Sequence, residues 1–191
     1  YNNFNDADGA LNLIKEFEKP AAAVIKHANP TGCAVADTTA EAYERALSTD
    51  PKSSFGGIVA LNRSCDSATA AQIVDSFKEV VVAPDYTEEA LDILTGEDNL
   101  RVLRLNDPLE VSETMSEKPL VGGRLIQDRD LATLTREDLE FVTERDPTDA
   151  EIESMLFAWK TIKHVKSNAI VFTKGTETVG VGAGQVSRVD A

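Results

Sequence analysis

Residues 19–36 read KPAAAVIKHANPTGCAVA, and the first part of that stretch decides the fold class. The run at 21–26 (AAAVIK) predicts a buried strand. Asn29-Pro30-Thr31-Gly32 follows as a turn cluster that stops it. Upstream, residues 6–18 put Leu11, Ile14 and Phe17 on one helical face, with Asn5 or Asp6 as the cap. Downstream, Thr38 and Glu41 form a capping box for a helix to about residue 48. A second strand is expected at 57–61 (GIVAL), a helix at 67–78, and a third strand at 79–83 (EVVVA), ended by Pro84. Thr87 opens a short helix to residue 94, and residues 100–105 alternate as a fourth strand. The stretch 106–147 is more polar, with Gly122-Gly123 and a strand expected at 120–127. Thr148 and Glu151 make a second capping box, and the helix behind it carries Ile152, Met155, Trp159 and Ile162 at core spacing. Residues 169–173 and 178–181 predict a hairpin with Lys174-Gly175 in its turn. Strands separated by helices in this way imply one α/β domain: a three-layer α/β/α sandwich with a mixed, mostly parallel sheet.

The composition narrows the function. The chain has 191 residues, 33 Asp and Glu against 19 Lys and Arg, and a formal charge of −14. With 42% apolar residues it is a folded chain and not a disordered one. The charge excludes general nucleic-acid binding, which needs a basic footprint. No apolar run reaches the roughly 18 residues of a membrane span, and no secretory signal is visible, so no membrane partner is expected. Cys33 and Cys65 make neither a disulfide framework nor a metal knuckle, so the expected setting is reduced and cytoplasmic and the expected metal count is none. Two explanations fit the acidity: a solvated surface, or adaptation to high salt, which stability rising up to molar KCl would support.

The acids are unevenly placed. Twenty of the 33 lie in 85–153, whereas 19–36, 51–65, 154–176 and 178–189 contain none. Buried strands account for the apolar parts of these windows. They account less well for Lys26, His27, Lys160, Lys163, Lys166, Lys174 and Arg188, which suit a concave site for an anion.

Within the windows, Lys26-His27-Ala28-Asn29-Pro30 carries the most chemical information. His27 sits where a strand gives way to a turn, a common place for catalytic groups. A cationic neighbour favours the neutral imidazole, which can accept a proton. Lys26 and His27 can serve one pocket only if the strand ends between them and Asn29-Pro30. His164, the only other histidine, lies mid-helix beside Lys163 and reads as structural. Gly56-Gly57 permits a ligand close to backbone N–H groups, and equally fits an ordinary turn. Gly180-x-Gly182-x-Gly184 lacks the dinucleotide spacing, and no Walker lysine motif is present. Arg188 suits a phosphate, and Asn168 offers an amide to fix a substrate.

Taken together, YNNFNDADGALNLIKEF, IKHANPTG, DPKSSFGGIVALN, EVVVAPDYTEEAL, VKSNAIVFTK and TVGVGAGQVSRVD, in this order, resemble the transformylase region of one enzyme family. It is the 5-aminoimidazole-4-carboxamide ribonucleotide (AICAR) formyltransferase family, whose members are often fused to IMP cyclohydrolase. The resemblance runs from Tyr1 to Asp190 and is loosest over 96–147. It departs at Thr31, where the family has Cys or Ala, with Cys33 two places on.

The resemblance implies a cytidine deaminase-like fold and identifies this chain as the first of two such lobes. A phosphate-binding segment would then precede Tyr1, and a second lobe would follow Ala191. It implies transfer of a formyl group from 10-formyltetrahydrofolate to the 5-amino group of AICAR, with nucleotide and folate as small-molecule partners, no metal required, and a homodimer in the full-length protein. It implies His27 as proton acceptor, Lys26 as transition-state stabiliser and Asn168 as the group that orients the carboxamide or the formyl group. Asn3, Gly56, Glu79 and Arg188 match nucleotide-contacting positions. Val189, Gln185 and Ser187 would lie near the folate. Deaminase chemistry is not expected, because Asn29 stands where H-x-E needs glutamate and no P-C-x-x-C is present. The alternative is a non-catalytic nucleotide-binding or regulatory module of the same fold, which replacing His27 would distinguish.

Overall fold

The computed structural model describes residues 1–105 and 115–190. Among the described residues the α-helices and strands follow in this order: α1 (Asn2–Ile14), β1 (Ala21–Lys26), β2 (Asn29–Val35), α2 (Thr39–Thr49), β3 (Ile58–Leu61), α3 (Ser67–Val74), β4 (Val80–Ala83), α4 (Glu88–Thr95), β5 (Arg101–Arg104), β6 (Met115–Leu120), β7 (Gly123–Asp128), α5 (Asp149–Ile162), β8 (Ile170–Lys174) and β9 (Glu177–Gly182). Seven strands form one sheet in the order β5-β4-β3-β1-β2-β9-β8, and β6 and β7 form a separate hairpin. The sheet is mixed as expected. Its strands β2, β3, β4, β5 and β8 run one way, while β1 and β9 run against them.

Both faces of the sheet are covered, which makes three layers. Successive side chains of a strand point to opposite faces. Ala22 and Val24 of β1 therefore join Tyr43 of α2, Ile73 of α3 and Leu94 of α4 in one core. Ala21, Ala23 and Ile25 join Leu13 and Ile14 of α1 and Phe157 of α5 in the other. Burial on both sides is why β1, β3 and β4 read as unbroken apolar runs.

Some boundaries differ from the sequence expectation. Asn29-Pro30-Thr31-Gly32 is not a turn but the start of β2, which pairs antiparallel with β1. Its proline is tolerated because β2 meets its other neighbour, β9, only at Ala34. The register slips by one between Val24 and Ile25, which leaves Thr31 as the extra residue of a bulge. The Thr31 hydroxyl donates to Val24 O at 3.2 Å and lies 2.8 Å from Ser54 Oγ. Gly32 serves close packing: a Cβ there would lie 1.9 Å from Ala46 O of α2.

The helix expected at 6–18 starts earlier, at Asn2, with Tyr1 at its N-cap and no side-chain cap, so Asp6 is inside the helix. The Thr148–Glu151 capping box forms in full. At α2 only half of the expected box forms: Thr38 accepts from Glu41 N, while the Glu41 carboxylate pairs with Arg45. The strand expected at 120–127 is the hairpin β6–β7, and residues 106–114 of the polar stretch lie outside the described residues. No helix among the described residues is long and apolar enough to cross a membrane.

Candidate active site

Lys26 closes β1, and Asn29 opposite it opens β2, so His27 and Ala28 are the whole turn between them. Both have left-handed backbones, with φ of 53° and 60°. This is the geometry that matches the right-handed twist of a two-residue hairpin. His27 is thus projected at an exposed tip, where its ring has no hydrogen bond to the described residues. Lys26 lies half-buried beneath it and donates from Nζ to Phe55 O at 2.7 Å.

That bond joins the tip to the glycine pair. Gly56 has φ +72°, a conformation that glycine adopts without strain, and its N–H donates to Phe77 O at 2.8 Å. Phe55 and Phe77 meet above it with ring centroids 5.6 Å apart. Glu79 N donates to Gly57 O at 3.1 Å, and the Glu79 carboxylate is 2.7 Å from Arg101 Nη1. Asn3 lies at the start of α1, in a cleft of about 400 Å³ shared with Phe4, Val80, Arg101 and Leu103. Lys26, His27, Gly56, Glu79 and Asn3 therefore gather at one end of the sheet, formed by the C-terminal end of β1 and the N-terminal ends of β3, β4 and β5.

Asn168 and Gln185 reach the same tip through Asn29. Asn168 N donates to Gln185 O at 3.3 Å, Gln185 N donates to Asn168 O at 3.2 Å, and Asn168 Nδ2 donates to Gln185 O at 3.0 Å. Gly184 N donates to Lys166 O at 2.6 Å, so segments 166–168 and 184–185 lie side by side. Asn29 Oδ1 accepts from Lys166 N at 3.0 Å, and Asn29 Nδ2 donates to His27 O at 3.1 Å. Ser187, Arg188 and Val189 are not brought in the same way. Val189 N donates to Ser187 Oγ at 3.3 Å, and among the described residues no hydrogen bond ties Arg188 or Val189 to the His27 turn.

The acid-free windows divide in two. Lys26 and Lys166 stand at the site, whereas Lys160, Lys163 and His164 serve packing. His164 is not mid-helix but lies just beyond the end of α5, and its Nε2 is 3.0 Å from Glu16 Oε1. Lys163 Nζ is 2.9 Å from the same oxygen, and Lys160 Nζ donates to Glu16 O at 2.9 Å. Burial pushes the Glu16 carboxyl up, but the hydrogen bonds from His164 and Lys163 outweigh it and hold the group below its usual range. No cluster of His, Cys, Asp and Glu among the described residues could hold a metal ion.

Two residues of the site were not legible as such. Asp6 resembled a helix cap, yet its carboxylate accepts from His27 N at 3.1 Å and Ala28 N at 2.8 Å. Asn29 resembled a turn residue. In both cases the only signal was that each stood near His27 in sequence or on the neighbouring helix.

Comparison with known proteins bears on the whole chain. The model of the AICARFT/IMPCHase bienzyme matches residues 1–191. A bifunctional purine biosynthesis protein PurH of Magnetococcus marinus is 54% identical over 194 residues, covering all of this chain and 36% of that protein. The PurH of Persephonella marina is 50% identical over 192 residues, again covering all of this chain and 37% of its own length. That of Halalkalibacterium halodurans is 48% identical over 194 residues, with 37% of its length covered. The chain thus spans little more than a third of these relatives, and along all of its own length it belongs to the AICARFT/IMPCHase bienzyme family.

Proposed function

We propose that this chain acts in purine biosynthesis by supplying the His27 half of a formyl-transfer site, moving the formyl group of 10-formyltetrahydrofolate to the 5-amino group of AICAR. The observation that carries this reading is the gathering of Lys26, His27, Gly56, Glu79 and Asn168 at one end of the sheet, in a chain of this family.

The chemistry asks for such a set. The amine is a poor nucleophile, because its electrons are delocalised into the imidazole and carboxamide. As its nitrogen bonds to the formyl carbon, a base must take its proton, and His27 presents a ring with no hydrogen bond among the described residues for that task. The carbonyl oxygen gains negative charge, which the Lys26 ammonium offsets once its Nζ turns from Phe55 O toward the substrate. Collapse of the tetrahedral adduct breaks the bond to the folate nitrogen, which leaves with a proton. Asn168 orients the acceptor, and Asn3, Gly56 and Glu79 contact the nucleotide. Arg188 adds a phosphate contact, and Gln185, Ser187 and Val189 lie toward the folate.

The test is His27→Ala in the complete protein. Turnover is expected to fall by about 10² to 10⁴-fold, the usual worth of general-base catalysis. Nucleotide affinity measured by calorimetry should change by less than about threefold. Unchanged turnover would refute the reading and favour a non-catalytic nucleotide-binding module.

A further inference from the structure

The geometry points to Asp6 as a positioning residue that holds the His27 turn in its left-handed conformation; its activity test rests on the formyl-transfer reading above. Left-handed backbone is uncommon for residues other than glycine, and the turn at this place prefers Asn-Gly or a similar pair. Here the two positions are His27 and Ala28, with φ of 53° and 60°. Neither is glycine, and Ala28 has no polar atom with which to offset the cost. Something outside the turn must hold it.

Asp6 supplies that hold. Oδ2 accepts from His27 N at 3.1 Å and Oδ1 accepts from Ala28 N at 2.8 Å, so one carboxylate engages both amides of the turn. Bonds of this charge-assisted kind are stronger than neutral ones. The carboxylate itself is well fixed, because Ala7, Ala10, Leu13 and Ile14 bury the other face of α1. On the opposite side, Asn29 Nδ2 holds His27 O at 3.1 Å. The backbone of His27 is thus gripped at N–H and C=O while its ring is left for a substrate. Both oxygens of Asp6 are engaged by amides of the turn, which assigns its carboxylate to holding the backbone. Asn3 stands one helical turn earlier on α1, so the same helix bears a nucleotide contact and the brace of the proton acceptor.

Four forms of the complete protein test this: wild type, Asp6→Asn, Asp6→Ala, and Asp6→Ala combined with Ala28→Gly. Asparagine keeps one acceptor but turns an NH₂ toward the other amide, donor against donor. Asp6→Ala is expected to lower kcat about 100-fold, the cost of misplacing a reacting group by about 1 Å. KM for nucleotide and folate should stay within about threefold, and the limbs of the pH profile should not move. Asp6→Asn should fall between. Glycine at 28 makes the left-handed state cheap, so the double variant should regain about tenfold or more in kcat over Asp6→Ala. Amide exchange at 27 and 28 should quicken in Asp6→Ala and slow again in the double variant.

A kcat within threefold of wild type in Asp6→Ala overturns the proposal. So does a shifted pH limb, which would make Asp6 a proton carrier, or a double variant that regains nothing. If wild type itself transfers no formyl group, the functional reading fails alone. The exchange measurement then decides the positioning role, and unchanged exchange at 27 and 28 in Asp6→Ala rejects it.

Discussion

Lys78 is a buried cation without a counter-ion among the described residues, and replacing it should make the protein more stable at neutral pH. The residue is 2% exposed. Its Nζ donates only to Ser76, to the hydroxyl and, at 3.4 Å, to the carbonyl, and no carboxylate among the described residues pairs with it. Burial pushes the amine down from 10.5 to about 8. The unfolded chain keeps that proton to higher pH, so between about 8 and 10.5 it binds more protons than the folded chain. Stability must therefore rise with pH in this window, and the full penalty applies below it. At about 1.4 kcal/mol per unit, the shift amounts to about 3 kcal/mol. That is a ceiling, because the C-terminal ends of α3 and α4 line the same cleft at Val74 and Gly96, and their carbonyls favour a cation.

Lys78→Met keeps the length of the chain and removes the charge. In urea titrations at pH 7 the variant should exceed wild type by about 2 kcal/mol, a midpoint shift of about 1 M. By pH 10 the gap should nearly close. A gap of constant size from pH 7 to 10, or a variant less stable at every pH, would refute the reasoning.

Two further outcomes follow from packing. Gly32→Ala places a methyl group 1.9 Å from Ala46 O and 2.9 Å from Thr49 Oγ1, so α2 must move away from β2; a loss of about 3 kcal/mol is expected in the same titration. Glu16→Gln removes the carboxylate shared by Lys163 and His164 and should cost about 2 kcal/mol near neutral pH. Because the folded-state carboxyl lies below its unfolded value of 4.5, that stabilisation is present above 4.5 and lost as the pH falls through the folded value. The difference between wild type and Glu16→Gln should accordingly shrink in acid, and a difference that grows there would contradict the clamp.

How far the sequence could be read depended on whether a segment's pattern reports its own burial. Residues 58–61 and 80–83 are apolar throughout because helices cover both faces of β3 and β4, and that is visible without knowing the partners. Thr148 and Glu151 cap α5 through neighbours three residues apart, so the box was equally legible. Residues 29–32 misled for the opposite reason. Asn, Pro, Thr and Gly have turn propensity, but here β1 pairs with them, Thr31 takes up the bulge, and Gly32 admits α2. Tertiary packing outweighed local preference. Thr31 acquires a role only in three dimensions, where its hydroxyl meets Val24 O and Ser54.

The sequence by itself determined the helices and the central strands β1, β3 and β4, the two-sided burial of those strands, the adjacency of Lys26 and His27, and the motifs that mark the family. These rest on spacing and residue type along one segment, and hydrophobic burial enforces them locally. Only the tertiary structure decided that His27 is the centre of a left-handed turn and that Asp6, 21 residues away, holds it. It alone decided that Asn29 ties that turn to Lys166, 137 residues on, and that Lys163 and His164 turn to Glu16 instead of the site. Such contacts depend on strand register and on how distant helices pack. A hydrogen bond between segments so far apart leaves no periodic trace in either of them.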